Sequence, residues 1–543
     1  MSHAFSTTAL VAVAFVLPTS AMAATLPVAG FTGGDIQTAI NNAAAGDTVQ
    51  LGAGQYILNT PLNLKTGVSL WGASQHDTTL VYRGLHTTNA PAIIEIEDAN
   101  NVTLRHFTLD GETRTQGASS GITVGHGNNL HFENLGIQNL AGPTDFGPIG
   151  IYFFEEVHHA SVTDSTFSHI GTTHTFGSGV RVHGNSDDNL IANNHFDHTG
   201  RGGIFGKGNG PTQGPDRLVI RNNTITHSGM AFANAGPNDD VNALGIEIQN
   251  FVNDAVIENN TLDRWLSVDN SNRAAVRNNT ITGALGDAGV ASPNGIEVID
   301  AQNIIVTGNT VAGASHYGLS IAGEGGTHQG LFANNTFTGA GQFGVQLQGN
   351  NDNSTEKLYF AHNDFTGSAS DAARLNISAQ HVVFDDNTLD AANDFSLALS
   401  REANDPGFTD IVITNNIAPD GFDDESPSAL TFENRGTVNE QVFAQGDPIT
   451  LVLDPSDPAL SHLNDIASVL WDLGPGSITN ATGSATLATT ALLPGTYQAV
   501  VWDTTGNSAL IPIRVLPEPA ALALFLPALL MGTARRRHAT SRG

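Results

Sequence analysis

The chain has 543 residues, with 21 Lys and Arg against 52 Asp and Glu, a formal net charge of −31 and no cysteine. The lack of cysteine excludes disulfides, Cys-ligated zinc and thiol catalysis, and the acidic balance argues against nucleic acid as a partner, since phosphate binding needs clustered basic residues. A hydrophobic share of 40% with 13% charged residues excludes wholesale disorder.

Residues 1–23 have the pattern of an export signal. An apolar run from Ala9 to Leu17 precedes Ala21-Met22-Ala23, which has the small residues of a cleavage site. We therefore predict a signal peptide over 1–23 and an exported mature chain.

Residues 24–60 are predicted to form an N-terminal cap and the first coil of a repeat. From Asp35 to Ala45, the residues Ile36, Ala39, Ile40 and Ala43 share one helical face. This pattern predicts an amphipathic helix that covers the open end of the first coil.

Residues 61–421 repeat a short unit built around paired asparagines. Val-Ile-Arg-Asn-Asn-Thr-Ile at 219–225 recurs as Val-Ile-Glu-Asn-Asn-Thr-Leu at 256–262. Equivalent anchor positions are Phe107, Leu135, Ser165, Asn194, Asn223, Asn260, Asn279, Asn309, Asn335, Asn363, Asn387 and Asn416. One unit is too short to bury both faces of its strands, so stacking of successive coils is required. The recurring Asn predicts an internal amide ladder.

This pattern resembles the right-handed parallel β-helix of the pectate-lyase-like superfamily. The predicted fold class is thus all-β, a right-handed parallel β-helix solenoid with an N-terminal helical cap. The resemblance leaves the activity open, because this scaffold hosts lyases, hydrolases, epimerases and non-catalytic adhesins.

Residues 422–516 lack the ladder and keep alternating strands. These run from Ile449 to Leu453, Ala467 to Trp471, Tyr497 to Trp502 and Leu510 to Val515, and turn sequences separate them. The spacing predicts a small immunoglobulin-like β-sandwich, which we interpret as a spacer or a carbohydrate-contact module.

Residues 517–543 resemble the PEP-CTERM sorting signal of Gram-negative bacteria. Pro517-Glu518-Pro519 is followed by a mostly apolar stretch and by Arg535-Arg536-Arg537. The resemblance implies processing by an exosortase, transient membrane anchoring, localisation in the cell envelope or outside the cell, and a link to exopolysaccharide.

The strand before each anchor has the pattern Gly-φ-x-φ-x, where φ is apolar. Because side chains alternate between the two faces of a strand, both x positions point outward. The stacking of successive coils then aligns the x positions in two columns. The first column is Thr123, Tyr152, Arg181, Phe205, Glu247, Ser267, Glu297, Ser320 and Gln346. The second column is Gly125, Phe154, His183, Lys207, Gln249, Asp269, Ile299, Ala322 and Gln348.

The middle of the two columns is predicted to form a substrate groove, because charges and aromatic side chains concentrate there. The candidate catalytic residues are Tyr152, Arg181, His183, Lys207, Glu247, Asp269 and Glu297. The candidate substrate-binding residues are Phe154, Phe205, Gln249 and Trp265. An insertion from Gly229 to Asn242 is predicted to wall the groove.

One chemistry that fits is β-elimination or C5 epimerisation on a uronate polymer. Arg181, or a Ca²⁺ held by Glu247, Asp269 and Glu297, would neutralise the uronate carboxylate. The proton at C5 would be removed by Lys207 or His183, with Tyr152 as proton donor.

Glycoside hydrolysis is the alternative chemistry. Glu247 and Glu297 lie two coils apart, roughly 9–10 Å by strand spacing, which is near the upper end for an inverting carboxylate pair. Asp269 beside either one would suit the closer spacing of a retaining pair.

The sequence thus predicts a secreted, envelope-sorted protein that binds and modifies a polysaccharide, with lyase-type chemistry slightly favoured. A non-catalytic adhesin or matrix protein is the competing hypothesis, and it predicts that the central charges are paired across the sheet. Several histidines, namely His158, His159, His174 and His198, are spaced for loops and not for a metal site.

Overall fold

The computed structural model describes residues 23–86, 91–143, 147–232, 244–282, 294–323, 325–348, 355–376, 379–400, 408–424, 430–433, 438–445, 449–452, 457–463, 466–471, 474–475, 484–487 and 494–517. The predicted signal peptide, apart from its last residue, lies outside the described residues. So do the sorting segment beyond residue 517 and residues 233–242 of the predicted insertion.

A single α-helix, α1 (Gly33–Asn42), is found in the described part of the chain, together with a 3₁₀ turn at Met230–Phe232. Thr32 caps α1: its side chain accepts from the Asp35 amide, and the Asp35 carboxylate accepts from the Thr32 amide. The apolar face is buried through Ile36 and Ile40, against the first strands of the solenoid. No helix among the described residues is long and apolar enough to cross a bilayer.

The first half of the solenoid consists of short strands. They are β1 (Thr25–Pro27), β2 (Thr48–Gln50), β3 (Gly54–Leu58), β4 (Leu62–Leu64), β5 (Ser69–Trp71), β6 (Thr78–Tyr82), β7 (Ala92–Ile96), β8 (Ala99–Asp110), β9 (Ser120–Val124), β10 (Gly127–Leu140), β11 (Ile149–Phe153), β12 (Val157–His158), β13 (Ser161–Thr163), β14 (Thr166–Ile170), β15 (Ser178–His183), β16 (Leu190–Ala192), β17 (His195–Thr199), β18 (Gly202–Lys207), β19 (Val219–Arg221) and β20 (Thr224–Thr226).

The second half continues in the same way. Its strands are β21 (Leu244–Gln249), β22 (Val256–Glu258), β23 (Thr261–Leu262), β24 (Trp265–Asp269), β25 (Ala275–Arg277), β26 (Thr280–Thr282), β27 (Asn294–Ile299), β28 (Gln302–Thr307), β29 (Thr310–Ala312), β30 (Tyr317–Ala322), β31 (His328–Ala333), β32 (Thr336–Thr338), β33 (Phe343–Leu347), β34 (Thr355–Ala361), β35 (Asp364–Ser368), β36 (Ala373–Leu375), β37 (Ala379–Asp385), β38 (Thr388–Ala391), β39 (Leu397–Leu399), β40 (Thr409–Thr414), β41 (Phe422–Asp424) and β42 (Leu430–Glu433).

Every strand of the solenoid pairs in parallel with its counterpart in the neighbouring coil. Within the described residues, 28 strands form one sheet and 14 form a second, in the order β4, β7, β9, β11, β15, β18, β21, β24, β27, β30, β33, β36, β39, β41. We call this second sheet the 14-stranded sheet. The inward side chains of both sheets form one continuous apolar core from Ile36 to Ile413. The predicted parallel solenoid is confirmed.

The predicted amide ladder is present from Ser165 to Asn416. At each rung the side-chain oxygen accepts from the backbone amide of the preceding rung: the Asn260 amide donates to Asn279 Oδ1 at 3.0 Å. The side-chain amide donates as well, as Asn260 Nδ2 does to Asn279 Oδ1 at 2.9 Å. A buried polar group lowers the stability of the fold unless it is hydrogen-bonded. The ladder provides hydrogen bonds for the buried Asn side chains and for the backbone amides at each rung. At the two anchor positions before Ser165, the equivalent residues are Phe107 and Leu135, whose apolar side chains are buried in the core.

The C-terminal strands are β43 (Gln441–Ala444), β44 (Ile449–Val452), β45 (Ile466–Trp471), β46 (Gly474–Pro475), β47 (Ser484–Leu487), β48 (Gly495–Asp503) and β49 (Ser508–Leu516). They form a five-stranded sheet and a separate pair, β44–β47. An apolar cluster joins the five-stranded sheet to the flank of the solenoid: Val500 and Trp502 are buried with Leu331 and Val383. This packing fixes the five-stranded sheet against the solenoid. The immunoglobulin-like assignment and the role as a spacer or a carbohydrate-contact module stay predictions.

Candidate functional site

The two predicted columns lie side by side on the 14-stranded sheet. In the first column Arg181 pairs with Phe205, Phe205 with Glu247, and Ser267 with Glu297. In the second column the same strands bring together His183, Lys207, Gln249 and Asp269. Residues that lie 20 to 42 positions apart in the chain are therefore direct neighbours, as the repeat predicted.

The first column is much more buried than its outward direction suggested. Arg181 is 2% exposed and Phe205 5%, because the turn that carries Phe176 lies over them. Arg181 donates from Nη2 to the Phe176 carbonyl at 2.9 Å, and its guanidinium carbon lies 4.8 Å from the centre of the Phe205 ring. The burial of both side chains argues against the predicted roles of Arg181 as neutraliser of a substrate carboxylate and of Phe205 as a substrate-binding residue, because neither is open to a ligand.

Arg201, which the sequence pattern did not single out, holds Glu247. The guanidinium donates from Nε and Nη2 to the two carboxylate oxygens, both at 2.9 Å, and both side chains are nearly buried. Gln249 Nε2 adds a bond to Glu247 Oε1 at 2.7 Å. Glu247 is thus a fixed, compensated anion, and Gln249 orients it.

Asp269 and Glu297 are half-buried carboxyl groups without an ion-pair partner among the described residues. Burial raises the pKa of Glu297 to about 7, with Asp269 and Glu247 adding to the rise. Burial, and then Asp300 and Glu247, raise the pKa of Asp269 to about 6. Both shifts follow from keeping a charge out of water close to other anions.

Hydrogen bonds fix the Glu297 carboxyl group from two sides. Ser267 Oγ donates to Oε2 at 3.0 Å, and Asn294 Nδ2 donates to Oε1 at 3.1 Å. These bonds favour the ionised form, and they offset part of the effect of burial on the pKa. Glu297 is therefore held in one orientation.

Asp269 lies in the second column and not directly opposite a glutamate, as the two predicted columns imply. Its direct neighbours are Gln249 and Ile299, so Asp269 and Glu297 are diagonal, with backbones about 7–8 Å apart. The three acidic side chains do not converge within 4.8 Å in the way that a metal site requires. The predicted Ca²⁺ site at Glu247, Asp269 and Glu297 is therefore not supported.

An aromatic cluster lies on the same face of the 14-stranded sheet, three to five strands away from Asp269 and Glu297. Tyr152 lies 5.5 Å from Phe154 and 6.3 Å from His183, measured between ring centres. Burial raises the pKa of Tyr152 to about 12 and lowers the pKa of His183, with Arg181 adding to the latter shift. Phe154 is 46% exposed, so it is available to a ligand. Lys207 has no ion-pair partner among the described residues.

A cleft of about 350 Å³ continues the site beyond Asp269. Its lining includes Phe251, Asp300 and the side chains of Asn253, Asn270, Asn272 and Gln302. Trp265 begins the strand that carries Asp269 and is half-buried. The cleft is large enough for a sugar ring and rich in amides that can bond hydroxyl groups.

Comparisons with known proteins establish the architecture. Residues 264–437 match the family described as the right-handed beta helix region. The catalytic unit of an α-1,3-glucanase from Streptomyces thermodiastaticus has 16% identity and a TM-score of 0.51, covering 75% of this chain and 70% of its own. The solenoid is a right-handed parallel β-helix.

Two further solved structures are more distant in shape. An alginate lyase from Paenibacillus has 18% identity and a TM-score of 0.42, and 54% of this chain and 96% of the lyase are covered. The A-module of a mannuronan C-5 epimerase from Azotobacter vinelandii has 16% identity and a TM-score of 0.35, with 74% and 93% covered. No curated protein matches the chain significantly in sequence.

Proposed function

We propose that this protein is a glycoside hydrolase acting on a polysaccharide, with Glu297 as general acid and Asp269 as general base. The observation that carries the proposal is a pair of half-buried carboxyl groups on adjacent strands of one sheet, placed diagonally to each other. Burial raises the pKa of both, to about 7 for Glu297 and about 6 for Asp269, so each can exchange a proton near neutral pH. Two carboxyl groups that share the roles of acid and base are what hydrolysis of a glycosidic bond needs.

The surroundings supply the other requirements of such a site. Glu247, held by Arg201, adds to the rise of the pKa values of Asp269 and Glu297. Phe154, which follows a strand four positions from that of Asp269 in the sheet, offers an exposed ring to a more distant sugar of the polymer. The structural relative with a TM-score of 0.51 is an α-1,3-glucanase, which supports a polysaccharide as the substrate.

A substrate without carboxylate groups fits this site best. Arg181, the basic residue best placed in the first column, is buried under Phe176. The cleft that adjoins Asp269 is lined mainly by amides, together with Asp300 and with Arg273, whose guanidinium is paired with Asp254. An anionic polymer would meet the acids Asp269, Glu297 and Asp300, and Lys207 is the nearby cation that has no ion-pair partner among the described residues.

The test is release of reducing sugar from a panel of neutral glucans by the purified protein. Glu297→Gln and Asp269→Asn should each lower kcat/KM by about 10²–10⁴-fold, the usual contribution of a general acid or base. Glu258→Gln is the matched control, because Glu258 is a partly exposed carboxylate on the other sheet. Equal activity of all three variants would exclude the assigned roles.

Elimination or epimerisation on a uronate polymer is the second candidate. It is favoured by Lys207, which has no ion-pair partner within the described part of the chain, next to His183, whose lowered pKa keeps the imidazole neutral and able to accept a proton. Formation of unsaturated product from alginate or pectate, lost in Lys207→Ala and retained in Glu297→Gln, would select elimination. A purely adhesive surface explains the site less well, because the pKa values of two half-buried carboxyl groups are raised there.

We also propose, from the terminal sequences, that the protein is exported and sorted to the envelope by an exosortase. The support is the apolar segment before residue 23 and the order of Pro517-Glu518-Pro519, apolar stretch and arginines. Mass spectrometry of the protein from its native host should show an N-terminus at Ala24 and loss of the arginine-bearing tail. An intact tail on the released protein would contradict the sorting proposal.

A further inference from the structure

A column of histidines stacks at one turn of the solenoid, apart from the groove. His169, His198 and His227 each lie four residues after a rung of the amide ladder. Their ring centres are 4.7 Å apart for the first pair and 4.4 Å for the second, with rings nearly parallel. The spacing in the sequence predicted that His198 is a loop residue. In the stack, however, His198 lies between the imidazoles of His169 and His227.

The carboxylate of Asp197 contacts the imidazoles of both His198 and His227. Asp197 Oδ1 lies 2.6 Å from His227 Nδ1, and Asp197 Oδ2 lies 2.8 Å from His198 Nδ1. All three side chains are half-buried, and the ligand atoms lie within 4.8 Å of one another. Asp263 adds a second carboxylate, which accepts from the His227 backbone amide and from Ser228 Oγ.

We propose that Asp197, His198 and His227 bind a divalent transition-metal ion of the zinc type. Two imidazole nitrogens and a carboxylate are a donor set that suits Zn²⁺ and its first-row neighbours and disfavours Ca²⁺ and Mg²⁺, which prefer oxygen ligands. The negative charges of Asp197 and Asp263 match a dication, although Arg264 lies 3.5 Å from Asp263 and offsets part of that charge.

Binding of the ion requires a defined rearrangement. Zinc bonds of about 2.0–2.2 Å place tetrahedral ligand atoms about 3.4 Å apart. The two nitrogen–oxygen distances must therefore lengthen, and the two stacked imidazoles must tilt so that both point a nitrogen at one ion. Because imidazole binds a metal only in its neutral form, the affinity for the ion should fall at low pH.

The site would connect two adjacent coils at the edge from which Arg201 reaches Glu247. His227 lies two residues before the predicted Gly229–Asn242 insertion, and His198 lies three residues before Arg201. A second group, Glu97, Asp98 and His126, is more exposed and offers one imidazole, so we expect it to bind such an ion more weakly. The inference stands independently of the proposed hydrolase.

Calorimetric titration of the chelator-treated full chain with Zn²⁺ tests the proposal. One tight site per chain is expected, with a higher Tm in the presence of zinc. Asp197→Asn and His227→Gln should each weaken binding at least about tenfold and abolish the zinc-dependent rise in Tm. His169→Gln is the control, because His169 stacks on His198 without belonging to the ligand set, and it should bind as the parent does.

Titration with Co²⁺ provides a second readout that does not depend on stability. The parent should develop visible absorption bands of a cobalt ion with nitrogen and oxygen ligands, and His227→Gln should change them. Zinc affinity equal in the parent, Asp197→Asn and His227→Gln would overturn the proposal. Binding lost only after substitution of His126 would assign the ion to the other group and would overturn it as well.

Discussion

Replacing Ser267 by alanine should move the pKa of the proposed general acid without touching its carboxyl group. Ser267 Oγ donates to Glu297 Oε2 at 3.0 Å, and this bond stabilises the ionised form. Hydrogen bonds to charged groups contribute about 1.5–3 kcal/mol, and about 1.4 kcal/mol equals one pKa unit. Since Asn294 still donates to Oε1, we take the low end and expect the pKa of Glu297 to rise by about one unit.

The assay is kcat/KM as a function of pH, measured on a neutral glucan of the panel that the protein hydrolyses. Activity should rise as Asp269 ionises near its pKa of about 6 and fall as Glu297 loses its proton near about 7. In Ser267→Ala the falling limb should move to about pH 8, while the rising limb stays within a few tenths of a unit. The two limbs are macroscopic values of a coupled pair.

Ser320→Ala is the matched control for this prediction. Ser320 is the other direct neighbour of Glu297 in the first column and is equally buried, but it bonds Gln348. Its removal should leave the profile unchanged. A falling limb that stays in place in Ser267→Ala, or moves downward, would refute the assignment of Glu297 as the acid that controls this limb.

Three further predictions concern stability and stereochemistry. The pKa of Glu297 is raised in the folded state. The stability that its protonated form contributes is therefore complete below the pKa of the unfolded chain and is lost as the pH rises through about 7. In urea titrations, Glu297→Gln should be about 3 kcal/mol more stable than the parent near pH 8 and about equally stable near pH 4. Asn279→Ala leaves the Asn260 amide without its acceptor and should cost about 2–4 kcal/mol, whereas exposed Thr280→Ala should cost under about 0.5 kcal/mol. The diagonal placement of Asp269 and Glu297 predicts inversion at the anomeric carbon, which proton NMR of the first product would show, and a retained anomer would reject that pairing.

The fold could be predicted because one physical requirement repeats in every coil. A buried amide must be bonded on both sides, so only a stack in strict register accommodates Asn223, Asn260 and Asn279. The same register fixed which side chains share a column, although the coil lengths vary from 19 to 37 residues between these rungs. The alternation of apolar and polar residues within each strand predicted which side chains point into the core and which point outward.

The burial and partners of the site residues could not be predicted in the same way. The alternation of residues along a strand predicts on which face of the sheet a side chain lies, but it does not predict which other segments cover that face. Arg181 and Phe205 were therefore expected at the surface. Arg201 and Asp300 occupy turns, where no period selects a residue, although both decide the electrostatics of the site. The stacked histidines were hidden because 29 residues separate His198 from His227.

Unequal coil length offers a physical reason why the site lies where it does. The rungs Asn223 and Asn260 are 37 residues apart, whereas Asn260 and Asn279 are 19 apart. The short coil carries Asp269 on a strand with almost no residues to spare for a covering loop, and the coils on either side carry Glu247 and Glu297. The register of the stack therefore brings three acidic side chains onto three successive strands, with Asp269 diagonal to Glu297. Burial and the proximity of the other acids raise the pKa values of Asp269 and Glu297, so the position of the site and the acidity of its residues both follow from the stacking of these coils.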